Sequence, residues 1–332
     1  MRMAVAAGVW LVALALTVTA SPAWQFVSNS PKAGGLGEAV TSDGQCLYIL
    51  RAASTGEYQF WSYDPGALAW TELAIPPERP KSGTALAWDG ADFIYALLGA
   101  AQADENRDFF YRYSISLKSW ELLKPTGRPQ GAGNALAWSG YDGRLYALVG
   151  SAEHGRSFRC YVPQQPGAWV ELAPNPSWGR PDDGAALAWD GGEWLYALLG
   201  ETEEKKAHWD FAAYHVPTQL WNQGLQDLPT EGGTGDGGSL LSIALWLPDH
   251  AGYIFAVGGG SALELPGRTF SVYDVREGVW DVSVPMPCPI GSWDGSRLAF
   301  ASGHVFYWQG APTTWECGGD ALYMLTELPV SE

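Results

Sequence analysis

Basic residues are scarce in this chain. Lys and Arg together number 19 against 36 Asp and Glu, a formal net charge of −17. That balance excludes nucleic acid as a partner, because the phosphates would be repelled, and it disfavours docking on an anionic membrane. Histidine is rare too: His154, His208, His215, His250 and His304 are the whole set, and no two of them stand at the i, i+4 spacing of a helical metal site. The four cysteines never form Cys-x-x-Cys. No metal and no cofactor are therefore expected. There is no Gly-x-Ser-x-Gly elbow, and the Gly-rich run at 231–238 lacks the lysine of a phosphate-binding loop, so no catalytic residue is assigned. Long apolar runs are missing as well, with one exception at residues 4–20. It follows Met1-Arg-Met and exits through Val18-Thr-Ala20 and Ser21-Pro22, which reads as a signal peptide over residues 1–20. The run is short of the ~20 residues that a spanning helix needs. With no cysteine near its exit, a lipid anchor is not expected. The expectation is a secreted or periplasmic protein with no membrane insertion after signal removal. No low-complexity linker divides residues 21–332, which read as one domain.

What the chain does have is repetition. Ala85-Leu-Ala-Trp88 is followed by Ile94-Tyr-Ala-Leu-Leu-Gly99; Ala135-Leu-Ala-Trp138 by Leu145-Tyr-Ala-Leu-Val-Gly150; Ala186-Leu-Ala-Trp189 by Leu195-Tyr-Ala-Leu-Leu-Gly200. Looser copies are Ile243-Ala-Leu-Trp246 with Ile254-Phe-Ala-Val-Gly258, and Leu298-Ala-Phe300 with Val305-Phe-Tyr-Trp-Gln-Gly310. The most worn copy runs from Ala39 to Leu50. Alternation with period two, broken by turns such as Asp89-Gly90 and Asp190-Gly191, predicts a β-hairpin in each unit. A second signature follows each hairpin: Tyr63/Trp70, Tyr113/Trp120, Tyr161/Trp169, Tyr214/Trp221 and Tyr273/Trp280. Each unit thus holds four strands.

The second-strand aromatics Tyr48, Tyr95, Tyr146, Tyr196, Phe255 and Phe306 are spaced by 47, 51, 50, 59 and 51 residues. Four-stranded units of this length cannot bury both faces alone, but stacked around an axis they can. On these residues the chain resembles the kelch-repeat β-propeller family. The resemblance implies an all-β fold: a six-bladed β-propeller of four-stranded kelch-type blades. The family's double glycine survives only in Gly258-Gly259-Gly260, and the first unit ends Leu50-Arg51 instead.

The chain ends complement one another. Trp24 stands before Tyr48 at a distance similar to that separating Trp70 from Tyr95, Trp120 from Tyr146, Trp169 from Tyr196 and Trp280 from Phe306, and residues 321–328 read as a third strand without a fourth. The N-terminal strand is therefore expected to close the last blade, which also hides strand edges.

Strand order puts the between-blade loops and the strand 2–3 loops on one face, where the resembled family commonly carries ligand sites. The between-blade loops repeat Arg79-Pro80, Arg128-Pro129 and Arg180-Pro181. Three arginines at one mouth would suit a carboxylate or phosphate. The alternative is that each braces its own loop or packs on a Trp. Trp178, in a loop outside the repeat, is a candidate sugar-stacking residue. Cys288 and Cys317 fall in loops of this face and are expected to form a disulfide in an exported protein. Cys46 and Cys160 are expected to be buried thiols. The reading is an exported, monomeric binding module for a protein or glycan ligand. Its alternative is an enzyme resembling the secreted N-acetylneuraminate mutarotases of the kelch family.

Overall fold

A computed structural model describes residues 22–32, 38–52, 57–99, 107–150, 157–164, 166–174, 184–200, 210–229, 238–259, 268–287, 295–310 and 320–330. Six four-stranded antiparallel sheets make six blades of a β-propeller, and the one helical element among these residues is a single 3-10 turn at Pro248–His250. The innermost strands are Ala39–Ser42, Thr84–Trp88, Ala135–Ser139, Ala185–Trp189, Ser239–Leu241 and Arg297–Ala301. Each packs against the next, and the last packs against the first, so the ring is closed. Their small side chains follow from crowding at the axis. Ala85, Ala87, Ala135, Ala137, Ala186 and Ala188 are all buried.

Blade six is built from both ends of the chain. Its strands Arg297–Ala301, His304–Gln309 and Ala321–Leu325 are completed by Trp24–Asn29. The register runs from Trp24 opposite Leu325 to Asn29 opposite Ala321, with an irregularity between Phe26 and Ser28. The Trp24 indole packs edge-on against Phe270 of blade five, with ring centroids 5.4 Å apart.

The Tyr-then-Trp signature has a direct structural meaning. Tyr63 and Trp70, Tyr113 and Trp120, Tyr161 and Trp169, Tyr214 and Trp221, and Tyr273 and Trp280 are cross-strand partners of the third and fourth strands. Each Trp then hooks the preceding blade. The indole N–H of Trp120 donates to the Ala74 carbonyl at 2.6 Å, that of Trp169 to Lys124 at 3.1 Å, and that of Trp280 to Gln226 at 3.0 Å. Trp70 does the same to Ser28 Oγ of the closing strand, at 3.1 Å. A third-strand Phe from the preceding blade fills the corner: Phe60 meets Tyr113 and Trp120, and Phe110 meets Tyr161 and Trp169. The repeated aromatics are therefore the packing between blades, worth about 0.5–1.5 kcal/mol per ring pair beyond area burial.

Blade five departs from the expected alignment. Ile243-Ala-Leu-Trp246 is not its first strand; that strand is Ser239–Leu241. Ile243 to Trp246 instead enters a turn, closed by Trp246 N–H to the Ile243 carbonyl, that leads into Pro248–His250. Proline cannot continue a central strand, and the longer repeat of this blade accommodates the extra turn. Cys46 likewise lies just before the strand Leu47–Ala52 and is partly exposed, whereas Cys160 is buried within Ser157–Val162. Residues 1–20, expected to be a signal peptide, lie outside the described residues.

Candidate functional site

Six equivalent positions of the innermost strands carry Val40, Leu86, Leu136, Leu187, Leu240 and Leu298. Together they form an aliphatic collar around the axis, because these six residues line both of the axial cavities. The collar separates two cups of different chemistry.

The cup on the face of the strand 1–2 hairpins has a volume of about 120 Å³ and is walled by Trp88, Trp138, Trp189 and Trp246. Hairpin carbonyls orient two of the indoles: Trp88 donates to Ala91 at 2.9 Å and Trp189 to Gly192 at 2.7 Å. Trp246 reaches the same mouth from the extra turn of blade five. It stacks parallel to Trp88 of the opposite blade, centroids 6.3 Å apart, and against Phe300 at 5.5 Å. Gly44 makes room for it: a Cβ there would lie 2.4 Å from Trp246 Cδ1. Thr41, Ser42 and Ser242 complete the wall, and none of its lining residues is charged.

Two hairpin turns of this face are held by carboxylates, Asp190 buried and Asp89 half-buried. Asp190 Oδ1 accepts from the N–H groups of Gly192 and Trp194 at 2.7 and 3.2 Å, and Asp89 Oδ1 from Ala91 and Phe93 at 2.8 and 3.0 Å. Burial pushes both carboxyls above the ordinary Asp range, outweighing the backbone donors that pull them down.

The opposite cup, on the face of the between-blade loops, measures about 70 Å³. Thr84, Asn134, Ser239 and Arg297 line it, and Arg297 is its one charged residue. Further out on this face, three cations gather beside the loop from blade one to blade two. Arg107 donates through Nε to the Gly99 carbonyl at 2.8 Å and through Nη2 to the Arg79 carbonyl. Its Nη1 lies 3.8 Å from Glu78, and its guanidinium covers the Phe109 ring. Burial, then the charges of Arg107 and Arg79, hold Lys81 below the usual lysine range.

Of the residues singled out from the sequence, Arg79 belongs to this cationic group. Arg128 reaches a different place. Its Nη2 is 3.6 Å from Glu171 on the outer strand Ala168–Glu171, where Arg159 joins at 3.0 Å. Asp108 fixes the loop beneath it, accepting from the backbone N–H groups of Thr126, Gly127 and Arg128 at 2.9, 2.7 and 3.2 Å. Asp108, Arg107 and Arg297 were not singled out from the sequence. Arg297 had a visible signal, since it opens the copy Arg297-Leu-Ala-Phe300 where three other copies open with Ala. Arg180, Trp178, Cys288 and Cys317 lie outside the described residues. Among the described residues no three His, Cys, Asp or Glu side chains come together as a metal site, and no helix is long and apolar enough to cross a membrane.

No protein-family model matches the chain, and no curated protein matches it significantly.

Proposed function

We propose that the chain is an exported kelch-type propeller that binds an anionic partner, an acidic glycan or an acidic stretch of protein, on the face of its between-blade loops. The observation that carries this reading is the asymmetry of the axis. The mouth on the hairpin face is uncharged and closed in by four indoles, whereas the mouth on the between-blade face has Arg297 in its wall, with Arg79, Lys81 and Arg107 further out on the same face. In a chain of net charge −17, cations gathered on one face mark where a negative ligand would be tolerated. The rigid ring supplies the scaffold, and the loops that differ from blade to blade supply selectivity. Export, with a disulfide between Cys288 and Cys317, is part of the same proposal and rests on the segment at residues 1–20 and on the loop positions of the two cysteines.

The test is a binding screen against matched neutral and acidic glycans and peptides, repeated at low and high salt. Preference for acidic ligands that weakens with salt, and weakens again in an Arg79→Ala/Arg107→Ala variant, is the expected result. Binding that ignores ligand charge, or no binding in either class, would overturn the proposal.

A further inference from the structure

We infer that the indole-walled mouth on the hairpin face is a second binding site, for an organic cation with an alkylated ammonium head. It lies on the face opposite the one proposed above and does not depend on that reading.

The wall follows from strand period. Two residues beyond a collar position, a side chain points to the same side as the collar, toward the axis. Those positions carry Ser42, Trp88, Trp138, Trp189, Ser242 and Phe300. Blades two, three and four thus bring three consecutive indoles to one side of the mouth. The inserted turn of blade five supplies the other side by crossing over. Ala244 sits against Gly191 of blade four, where an added Cβ would meet its own Cβ at 2.5 Å. Leu245 reaches the hairpin of blade two, its Cδ1 3.6 Å from where a Cβ on Gly90 would stand. Trp246 covers Phe300, lies over Gly44 of blade one and ends parallel to Trp88, completing the wall with a fourth indole. The insert leaves the cup open beneath it. About 120 Å³ remain, lined by both the insert and the collar, several times the ~10–15 Å³ that one water needs.

Indole faces carry the negative side of a π quadrupole and attract cations more strongly than Tyr or Phe does. The serines add no charge: Oγ of Ser42 and of Ser242 accept from the N–H groups of Gly44 and Ala244, at 2.8 and 3.2 Å. The charge stands just outside. The connections from first to second strand hold an acid in each of blades one to five, Asp43, Asp92, Asp142, Glu193 and Asp249, and none of the six connections contains a Lys or Arg. Arg144, which follows the third of them, lies 3.6 Å from Asp142. Such a rim repels anions and draws cations. A metal ion or a bare ammonium would have to shed tightly held water to enter an uncharged cup. Alkyl groups on nitrogen spread the charge over an apolar shell that loses little there, so an alkylated ammonium is the cation that this mouth selects.

The experiment titrates the whole protein with choline, with dimethylbutanol as its uncharged tert-butyl isostere, and with methyl glucoside, by calorimetry or ligand-observed NMR. Choline should bind, and the isostere should bind about tenfold more weakly or worse. Trp246→Leu keeps an apolar side chain but removes one π face; it should weaken choline about tenfold and leave the isostere within about twofold. If Trp246→Leu fails to fold, Leu245→Lys, which sets an ammonium at the mouth, should abolish choline binding. No choline binding, equal binding of choline and its isostere, a preference for methyl glucoside, or undiminished choline binding in a folded Trp246→Leu or Leu245→Lys variant would each overturn the site. The comparison of choline with its isostere needs no variant and decides the matter in the unaltered protein.

Discussion

The guanidinium of Arg51 in blade one lies over the indole of Trp308 in blade six, 5.4 Å from the ring centroid. Both side chains are fully buried, and Glu38 joins them, 3.2 Å from Arg51 and accepting from Trp308 Nε1 at 2.7 Å. Asp320 and Ser30 pair with the same guanidinium, which also reaches the Lys32 carbonyl at 3.0 Å. The cluster therefore ties together blade one, blade six and the end of the N-terminal strand. By register, Arg51 stands where blades two to four carry Leu98, Val149 and Leu199, two residues beyond the partner of the collar position. The ring substitutes a charge for an aliphatic side chain at the seam between the first blade and the blade that the two chain ends build together.

Removing that charge alone strands two buried carboxylates. Arg51→Ala is expected to cost about 3–5 kcal/mol, while Arg51→Met combined with Glu38→Gln and Asp320→Asn costs much less. Urea unfolding of the two variants checks this. Equal losses would show that the cluster acts by packing alone.

The indole hooks make a milder prediction. Trp120→Phe keeps the ring against Phe60 and Tyr113 but loses the bond to the Ala74 carbonyl, so it should cost about 1 kcal/mol. Trp120→Ala loses the packing too and should cost severalfold more, read from the same unfolding curves.

The buried turn carboxylates predict a pH dependence. Because the Asp190 carboxyl is raised from 3.8 in the folded state, the unfolded chain binds fewer protons in the window above that value. The contribution of this group to stability is present at low pH and is lost as pH rises through the folded value. Asp190→Asn retains the acceptor for Gly192 and Trp194 and never ionises. Its Tm relative to wild type should be higher at pH 7 than at pH 3; a difference independent of pH would contradict the assignment.

Thiol counting tests the cysteines. Burial pushes the Cys46 thiol up to about 11, with Asp43 and Asp64 adding to the shift, and raises Cys160 as well. Neither should react promptly with a disulfide reagent at pH 8 in the native protein. Unfolding without reductant should expose two thiols, and with reductant four, if Cys288 and Cys317 are bridged. Four thiols without reductant would remove the bridge.

Much of the fold was legible because the repeat copies contacts as well as composition. Tyr113 and Trp120 are seven residues apart for the reason that a tight turn places them opposite one another, and the same spacing recurs in blades one, four and five. Blade five was misread because Ile243-Ala-Leu-Trp246 has the composition of a first strand, yet Pro248 and an inserted turn move it past the end of one. Trp246 still arrives at the mouth that Trp88 and Trp189 occupy, so the pattern reported a location and not an element. The seam was visible only as an irregularity, Arg51 where the next three copies carry Leu98, Val149 and Leu199, since its partners Glu38, Trp308 and Asp320 lie elsewhere in the sequence. The site was less legible still. Spacing aligned Arg79 with Arg128, but side-chain direction depends on local partners, and Glu171 draws Arg128 outward. Asn134, which lines the between-blade cup, carried no signal, because an amide nitrogen buried without an acceptor is a property of its surroundings.

The claim on which everything rests is that the ring is shut by its own N-terminal strand. The most direct measurement compares a chain beginning at residue 23 with one beginning at residue 30, by thermal unfolding and limited proteolysis. The shorter chain uncovers the edge of Ala321–Leu325 and removes Trp24 from Phe270 and Tyr307. It should lose at least about 3 kcal/mol of stability and be cut first within residues 295–330. Equal melting and equal protease resistance in the two chains would contradict the closure.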